Sequence, residues 1–240
     1  RHLLDLTART TADVFLTPEL SLTGYDVGDA VHRLARPLDR GIPELAGATS
    51  TLIVGCIEAA PEGPCNTAVA VRGGNIDFRH RKLYLPTYGM FDEARWFGAG
   101  SSLETWSPAP GWNAGVLICE DFWHISPPYL LWIDGADILL MQSASPARGL
   151  DGGDRLAGTR WVELVNQAYG SMFTNYVIHC NRVGYEDGKN FWGGSSVVNP
   201  DGEFLTGGLY FDEALITQEI DLNQVHRTRS RLPLLRDERP

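Results

Sequence analysis

Cysteine is scarce in this chain of 240 residues, which has four cysteines, at positions 56, 65, 119 and 180. No two of them have CxxC spacing, and their density is far below that of a disulfide scaffold. We therefore expect reduced thiols in a cytoplasmic protein. No cluster of His, Asp or Glu has the spacing of zinc ligands, so we predict neither a metal nor another cofactor.

Long apolar runs and runs of positive charge are also missing. The most apolar region, residues 129–141, is interrupted by Asp134 and Asp137, so it falls short of the roughly eighteen apolar residues that span a bilayer. The net charge is -10, whereas nucleic-acid binding depends on basic groups that neutralise phosphates. We therefore expect neither a membrane nor a nucleic acid as a partner.

The composition is that of a folded globular protein, with 43% hydrophobic and 21% charged residues. We find no internal repeat, low-complexity segment or linker that would mark a domain boundary. Predicted strands and helices alternate along the whole sequence, which favours one layered α/β domain over residues 1–240. The first nine residues read as the end of an amphipathic helix without a cap or a preceding strand, so we expect that an N-terminal strand is missing from this sequence.

Hydrophobic patterning and turn residues predict the individual elements. Strands are expected at residues 13–16, 51–59, 66–72, 75–82, 111–118, 136–142, 175–181, 195–199, 203–206 and 214–220, the last three forming a meander. The pair Gly73–Gly74 predicts a tight hairpin turn. Helices are expected at 129–134, after Ser126 as the N-cap, at 159–169, and from the cap Asp221 to about residue 229.

Three of the predicted strand ends carry chemically complementary side chains, namely Glu19, Lys82 and Cys119. A thiol is mostly protonated at neutral pH, so a carboxylate can accept its proton. An ammonium group can stabilise both the thiolate and the oxyanion that forms when sulfur attacks a carbonyl. The set is therefore typical of an amide-hydrolysing site. For Cys119 alone, a buried structural thiol is an equally good interpretation, because cysteine often packs as a small apolar residue.

Three sequence blocks carry a resemblance to a known family: PEL at 18–20, RKLYLPTYGMFDE at 81–93 and CEDFW at 119–123. They resemble the catalytic blocks of the carbon–nitrogen hydrolase (nitrilase) superfamily, and the resemblance covers essentially the whole chain. It implies an α/β fold built as a four-layer αββα sandwich, usually paired into a dimer. It also implies a catalytic triad of Glu19, Lys82 and Cys119, with Glu93 as a second glutamate that orients Lys82 or the substrate.

Within this superfamily the chain most resembles the glutaminase domain of glutamine-dependent NAD synthetases. That resemblance implies that Tyr88, Glu120 and Ser145 contact the amino and carboxylate groups of the substrate. An arginine of that domain has no clean counterpart here, because Arg148 and Arg155 both lie at a different spacing. These residues also contain no SGGxDS-like phosphate loop of a synthetase domain.

We therefore predict an amidase, similar to a glutaminase, that cleaves a linear amide through a cysteine thioester and releases ammonia or an amine. The alternatives are an N-carbamoyl amino acid hydrolase, a nitrilase, or a non-catalytic homologue that serves as an interaction surface. An intact triad favours an enzyme, and the absence of Trp-Glu after the cysteine favours an amide over a nitrile. His80 and His124 leave a Cys–His mechanism as a further alternative, although the family pattern needs no histidine.

Each substrate-contact residue also has a structural interpretation: Tyr88 as loop packing, Glu120 as a salt-bridge partner and Ser145 as a helix cap. The expected partners are a small-molecule amide and further copies of the chain in a homodimer or higher homo-oligomer. For that interface we predict an exposed apolar cluster of Leu130, Leu131 and Trp132 on the helix at 129–134.

Overall fold

The computed structural model describes residues 2–147 and 157–238, which fall into two units, Arg1–Ser102 and Leu103–Pro240. Each unit combines one main β-sheet with helices, so the predicted mixed α/β class is confirmed. In the described part of the chain, no helix combines the length and the apolar character that crossing a membrane requires.

The first unit is built on a four-stranded sheet with the order β1-β2-β3-β4. β1 is parallel to β2, and the other neighbouring strands are antiparallel. Its elements are α1 (His2–Arg9), β1 (Val14–Leu16), α2 (Val31–Leu34), β2 (Thr51–Ala60), β3 (Gly63–Arg72) and β4 (Asn75–Arg81). The predicted hairpin turn is present, because Gly73 and Gly74 both have positive φ angles and join β3 to β4. The turn sets the register that brings residue 82 to the end of β4.

The two central strands of this sheet are almost entirely buried, as their continuous apolar sequences predict. One face packs into a core that contains Phe15, Ile42, Val54 and Val69. Burial of each such side chain stabilises the fold by about 1.5–3 kcal/mol. The ends of β1 and β4 are therefore held by a rigid scaffold.

The second unit is built on a five-stranded sheet with the order β11-β10-β7-β6-β5. β5, β6 and β7 are parallel, and β10 and β11 continue the sheet antiparallel. Its elements are β5 (Ala114–Ile118), α3 (Ser126–Ile133), β6 (Ile138–Ser143), α4 (Ala157–Phe173), β7 (Tyr176–Asn181), β8 (Val183–Glu186), β9 (Lys189–Trp192), β10 (Ser196–Val198), β11 (Phe204–Gly207), α5 (Leu222–Arg231) and α6 (Leu234–Glu238). The carboxyl ends of three parallel strands thus lie at one edge of the sheet, where α/β proteins place their chemistry.

Several sequence predictions for this unit are wrong. Residues 214–220 form no strand, and most of them are exposed. The hairpin of β8 and β9 and the short helix α6 were not predicted. Helix α3 begins at Ser126 with Ile125 as its N-cap, so the expected capping serine is the first helical residue instead. Asp221 does cap α5, because its side chain accepts a hydrogen bond from the backbone N–H of Asn223.

The predicted apolar surface on α3 is also wrong for two of its three residues. Leu131 and Trp132 are buried in the core that α3 and α4 share with the sheet, whereas Leu130 is exposed. The helix has apolar residues on nearly all sides, so its sequence does not show which side faces the core.

Candidate active site

Glu19, Lys82 and Glu93 form one cluster in the first unit. The Nζ atom of Lys82 donates to Oε1 of Glu19 at 2.7 Å and to Oε1 of Glu93 at 2.8 Å. Lys82 and Glu19 are both 0% exposed. Taking three ionisable groups out of water costs several kcal/mol per ion, which their mutual pairing only partly offsets. Such a cluster is unusual in a fold that has no use for it, so it is a strong candidate for chemistry.

Two neutral side chains hold this cluster in place. The amide Nδ2 of Asn66 on β3 donates to Oε1 of Glu19 at 2.8 Å, and the hydroxyl of Tyr25 donates to Oε1 of Glu93 at 2.7 Å. Neither Asn66 nor Tyr25 was among the residues predicted for the site. The NT dipeptide at 66–67 and the TGY segment at 23–25 resemble ordinary strand and turn sequences, so only the fold shows their contacts.

The strand end that carries Lys82 is anchored by a separate ion-pair cluster. Arg81 donates to both carboxylate oxygens of the buried Glu58 at 2.8 Å, and Arg79 and Thr67 also donate to Glu58. Burial would raise the pKa of Glu58, but the hydrogen bonds and charges of these neighbours outweigh it and hold the pKa below its usual range. A bidentate arginine pair has a fixed geometry, so it orients the backbone immediately before Lys82.

The surroundings of Glu93 change the pKa of its carboxyl group. Burial, only partly offset by the positive charge of Lys82, raises the pKa of Glu93 from 4.5 to about 7. Its Oε1 atom accepts both hydrogen bonds, while Oε2 has no hydrogen-bond partner among the described residues. A proton on Glu93 would therefore reside on Oε2.

This pKa predicts how stability depends on pH. Between about pH 4.5 and 7 the folded protein keeps the Glu93 proton that the unfolded chain has released. The free energy of unfolding therefore falls as pH rises through that range. The loss amounts to up to about 3 kcal/mol. The melting temperature of the wild type should fall relative to that of Glu93→Gln as pH is raised from 5 to 8. If the melting temperatures of the two proteins changed with pH in the same way over this range, the raised pKa of Glu93 would be contradicted.

The turn that carries Glu19 packs directly against β2 at Gly55. The backbone N–H of Leu22 donates to the carbonyl of Gly55, and the N–H of Gly55 donates to Oγ of Ser21. A Cβ atom at residue 55 would lie 2.2 Å from the backbone nitrogen of Leu20. Leu20 itself has a φ of 49°, a conformation that non-glycine residues rarely adopt. The position of the Glu19 turn therefore depends on a glycine at residue 55.

We predict that Gly55→Ala displaces this turn and lowers kcat/KM by about 100-fold, because small misplacements of reacting groups have effects of that size. Activity should be measured per folded molecule, with circular dichroism as the check of folding. Gly47→Ala is the matched control, because a Cβ at residue 47 meets nothing closer than 4.0 Å. Activity of Gly55→Ala within twofold of the control would show that the contact does not position Glu19.

Cys119 lies directly after β5 in the second unit, at the first residue of the 3-10 turn Cys119–Trp123. Its φ is 45°, so the backbone is strained at the thiol itself. Two hydrogen bonds fix this turn. The carboxylate of Asp121 accepts from the backbone N–H of Ile118, and the hydroxyl of Tyr169 donates to the carbonyl of Phe122. A strained residue that its surroundings hold in place is typical of a functional position.

A chain of hydrogen bonds leads from this cysteine through two serines to an asparagine. The hydroxyl of Ser143, at the end of β6, donates to Sγ of Cys119 at 3.6 Å and is 2.7 Å from Oγ of Ser145. Asn181, at the end of β7, accepts from the backbone N–H of Ser145 and donates to the carbonyl of Gly193. Ser145 was a predicted site residue, whereas Ser143 and Asn181 were not.

The remaining predicted contacts are spread over both units. In the second unit Glu120 is buried in the turn after Cys119, and Nε2 of His124 lies 3.6 Å from its Oε1. In the first unit Tyr88 is half-exposed and packs edge-on against Phe91, and His80 is buried in β4. Arg148 and Arg155 lie outside the described residues. Over residues 2–147 and 157–238, no group of His, Cys, Asp and Glu side chains is arranged to hold a metal ion.

Comparison with known proteins decides the family. The carbon-nitrogen hydrolase family model matches residues 2–230. The chain belongs to the carbon-nitrogen hydrolase family. This membership supports a hydrolase, and the fold seen in both units agrees with it.

Two relatives of this carbon-nitrogen hydrolase illustrate the range of the family. It is 33% identical over 224 residues to a glutamine-dependent NAD(+) synthetase of Thermotoga maritima, a match that covers 89% of this chain but only 37% of the synthetase. It is 31% identical over 240 residues to a Pseudomonas protegens protein described as "Hydrolase in pqqF 5'region", covering 96% of this chain and 79% of that protein. The resemblance to NAD synthetases is therefore confirmed, and this chain spans less than half the length of such a relative.

A solved structure supports the fold of this carbon-nitrogen hydrolase. A mutant of an amidase of the nitrilase superfamily from Nesterenkonia AN1 superimposes with a TM-score of 0.77 at 24% identity, covering 97% of this chain and 88% of the amidase. The predicted nitrilase-superfamily fold is thus confirmed. The expectation of a missing N-terminal strand stays a prediction.

Proposed function

We propose that this carbon-nitrogen hydrolase is an amidase, similar to a glutaminase, that cleaves a linear amide through a thioester on Cys119 and releases ammonia or an amine. The observation that carries this proposal is the buried cluster in which Lys82 is paired with both Glu19 and Glu93. A non-catalytic homologue would gain little from it, because replacing a buried ion pair by apolar residues is often neutral or stabilising.

In the proposed reaction Sγ of Cys119 attacks the carbonyl carbon of the amide, and Glu19 accepts the thiol proton. The C–N bond then breaks, and Glu19 returns the proton to the departing nitrogen. Water, with its proton taken by Glu19, hydrolyses the thioester and regenerates the thiol. Lys82 and the backbone N–H of Glu120 stabilise the oxyanion in both steps, and Glu93 orients Lys82.

Glutamine is the first substrate to consider, because relatives of this chain are described as glutamine-dependent NAD(+) synthetases. In this proposal Tyr88, Glu120 and Ser145 contact the amino and carboxylate groups. The half-exposed Tyr88 and the partly exposed Ser145 are compatible with such contacts. Neither Arg148 nor Arg155 has the spacing of the arginine found in the glutaminase domain of NAD synthetases, so a different ω-amide is the second choice.

We further propose that residues 1–240 act as one catalytic domain and that the protein is a cytoplasmic homodimer or higher homo-oligomer. The family match over residues 2–230 supports a single domain. An association of copies is supported by exposed apolar side chains on α3 and α4, namely Leu130, Trp161, Leu164 and Met172. Large exposed apolar side chains of this kind favour protein contacts.

The test of this function is a screen for ammonia release over glutamine, asparagine, other ω-amides, N-carbamoyl amino acids and nitriles. We expect turnover of at least one linear amide, with no turnover of nitriles. Turnover of nitriles or N-carbamoyl compounds in place of amides would replace the proposed reaction by one of the alternatives. No turnover of any of these compounds by folded protein would favour the non-catalytic alternative.

A further inference from the structure

The hydroxyl of Ser143, at the end of β6, lies beside the sulfur of Cys119. β5 and β6 are parallel, and their register pairs Ile118 with Gln142. The next residues along the chain, Cys119 directly after β5 and Ser143 at the end of β6, are therefore neighbours. Ser143 is completely buried, and its Oγ lies 3.6 Å from Sγ, within hydrogen-bonding range for sulfur. A buried hydroxyl directed at a sulfur atom can affect that atom's charge state.

Counting protons links the directions of the two hydrogen bonds that Ser143 makes. A serine hydroxyl has one proton to donate. If Ser143 donates to Sγ of Cys119, the 2.7 Å contact between the two serine oxygens requires Ser145 to donate to Ser143. The hydrogen bond from the Ser145 N–H to Asn181 at 2.9 Å fixes the backbone of Ser145 for this purpose. With Ser143 as the donor to sulfur, the two hydroxyls form a short chain that ends on Sγ, and each bond in such a chain strengthens the next.

We propose that Ser143 contacts the nucleophile as a hydrogen-bond donor and favours the thiolate form of Cys119. Ser145 supports this role by donating a hydrogen bond to Oγ of Ser143. This inference rests on the proposed function only in assigning Cys119 as the nucleophile. It adds a residue to the site and makes Ser145 an acceptor toward the substrate, because its own proton is directed inward. An ammonium or amide N–H of the substrate matches that acceptor better than a carboxylate does.

Alkylation of Cys119 by iodoacetamide tests the inference in the free protein. The rate of modification should be measured by peptide mass spectrometry at several pH values from 5 to 10. In Ser143→Ala we expect the midpoint of the rate profile to move upward by about 1 pH unit, which lowers the rate at neutral pH about tenfold. The plateau rate at high pH should stay unchanged. Alanine is smaller than serine, so the variant introduces no steric clash.

Two further variants separate the hydroxyl from packing. Ser143→Thr keeps the hydroxyl and should have the midpoint of the wild type. Ser196→Ala removes another buried serine hydroxyl of the same sheet, one that accepts from Asn166, and should also leave the midpoint unchanged. A Ser143→Ala profile that superimposes on that of the wild type would overturn the inference. An equal upward shift in all three variants would also overturn it, because it would reflect loosened packing.

Alkylation needs no amide substrate, so its result is independent of the proposed function. Ammonia release by Cys119→Ala would overturn the proposed function whatever the alkylation profiles show. Conversely, turnover that depends on Cys119 together with an unshifted Ser143→Ala profile would overturn only the role of Ser143.

Discussion

Replacing Cys119 by alanine is expected to lower ammonia release by at least about 10⁴-fold, because losing a covalent nucleophile removes the reaction path itself. The fold should survive the change. Cys119 is 7% exposed, and loss of its sulfur removes little buried volume, at a cost of about 1 kcal/mol. Alanine also adopts the positive φ of residue 119 no less easily than cysteine does. Ammonia release and the melting temperature should therefore be measured together.

Cys56→Ala is the matched control for this prediction. Cys56 is a buried strand thiol whose pKa is raised to about 12, first by burial and then by the negative charge of Glu58, so it stays protonated at neutral pH. Its alanine variant should keep the activity of the wild type. If Cys119→Ala retained more than about a tenth of that activity, the thioester mechanism would be wrong.

Glu19→Gln is expected to lower turnover by about 10²–10⁴-fold, because the group that accepts and returns the proton is lost in both half-reactions. Glutamine has the same size and keeps an oxygen that can accept from Asn66 and Lys82, so the cluster should remain assembled. An acyl group that does form should persist on Cys119. Lys82→Met should instead slow the acylation step and show little adduct. Steady-state turnover and intact mass should be followed for both variants.

Glu62→Gln is the control for loss of a carboxylate, since Glu62 is an exposed partner of Arg81 and is placed outside the proposed chemistry. It should behave like the wild type. Rapid turnover by Glu19→Gln would exclude this carboxylate as the base. It would then reopen the Cys–His alternative, in which His80 or His124 takes the proton.

The sequence predicted the family and several of the strands correctly. The three blocks identified the family, and the positions of β2, β3, β4 and β6 follow from apolar runs bounded by turn residues. The cluster of Glu19, Lys82 and Glu93 could be expected from the same blocks. A buried lysine paired with two carboxylates needs specific residue types, and such residues leave a recognisable sequence pattern.

Other features depend on contacts that a sequence does not record. Residues 214–220 have an apolar pattern typical of a strand, yet a strand forms only where a neighbour offers its backbone for pairing. The burial of Leu131 and Trp132 depends on which side of α3 meets the sheet. The contact of Ser143 with Cys119 depends on the register of β5 and β6, and the tight approach of Gly55 to Leu20 depends on how a turn lies on a strand.

Intact-protein mass spectrometry of Glu19→Gln, mixed with an amide that the wild type turns over, tests the central claim most directly. We predict a mass increase equal to the amide less its departing ammonia or amine, located on the peptide that contains Cys119. The adduct should be absent when Cys119→Ala is added to the same protein. An adduct that survives in this double variant, or an unmodified Glu19→Gln protein that turns the amide over as fast as the wild type, would contradict a thioester on Cys119.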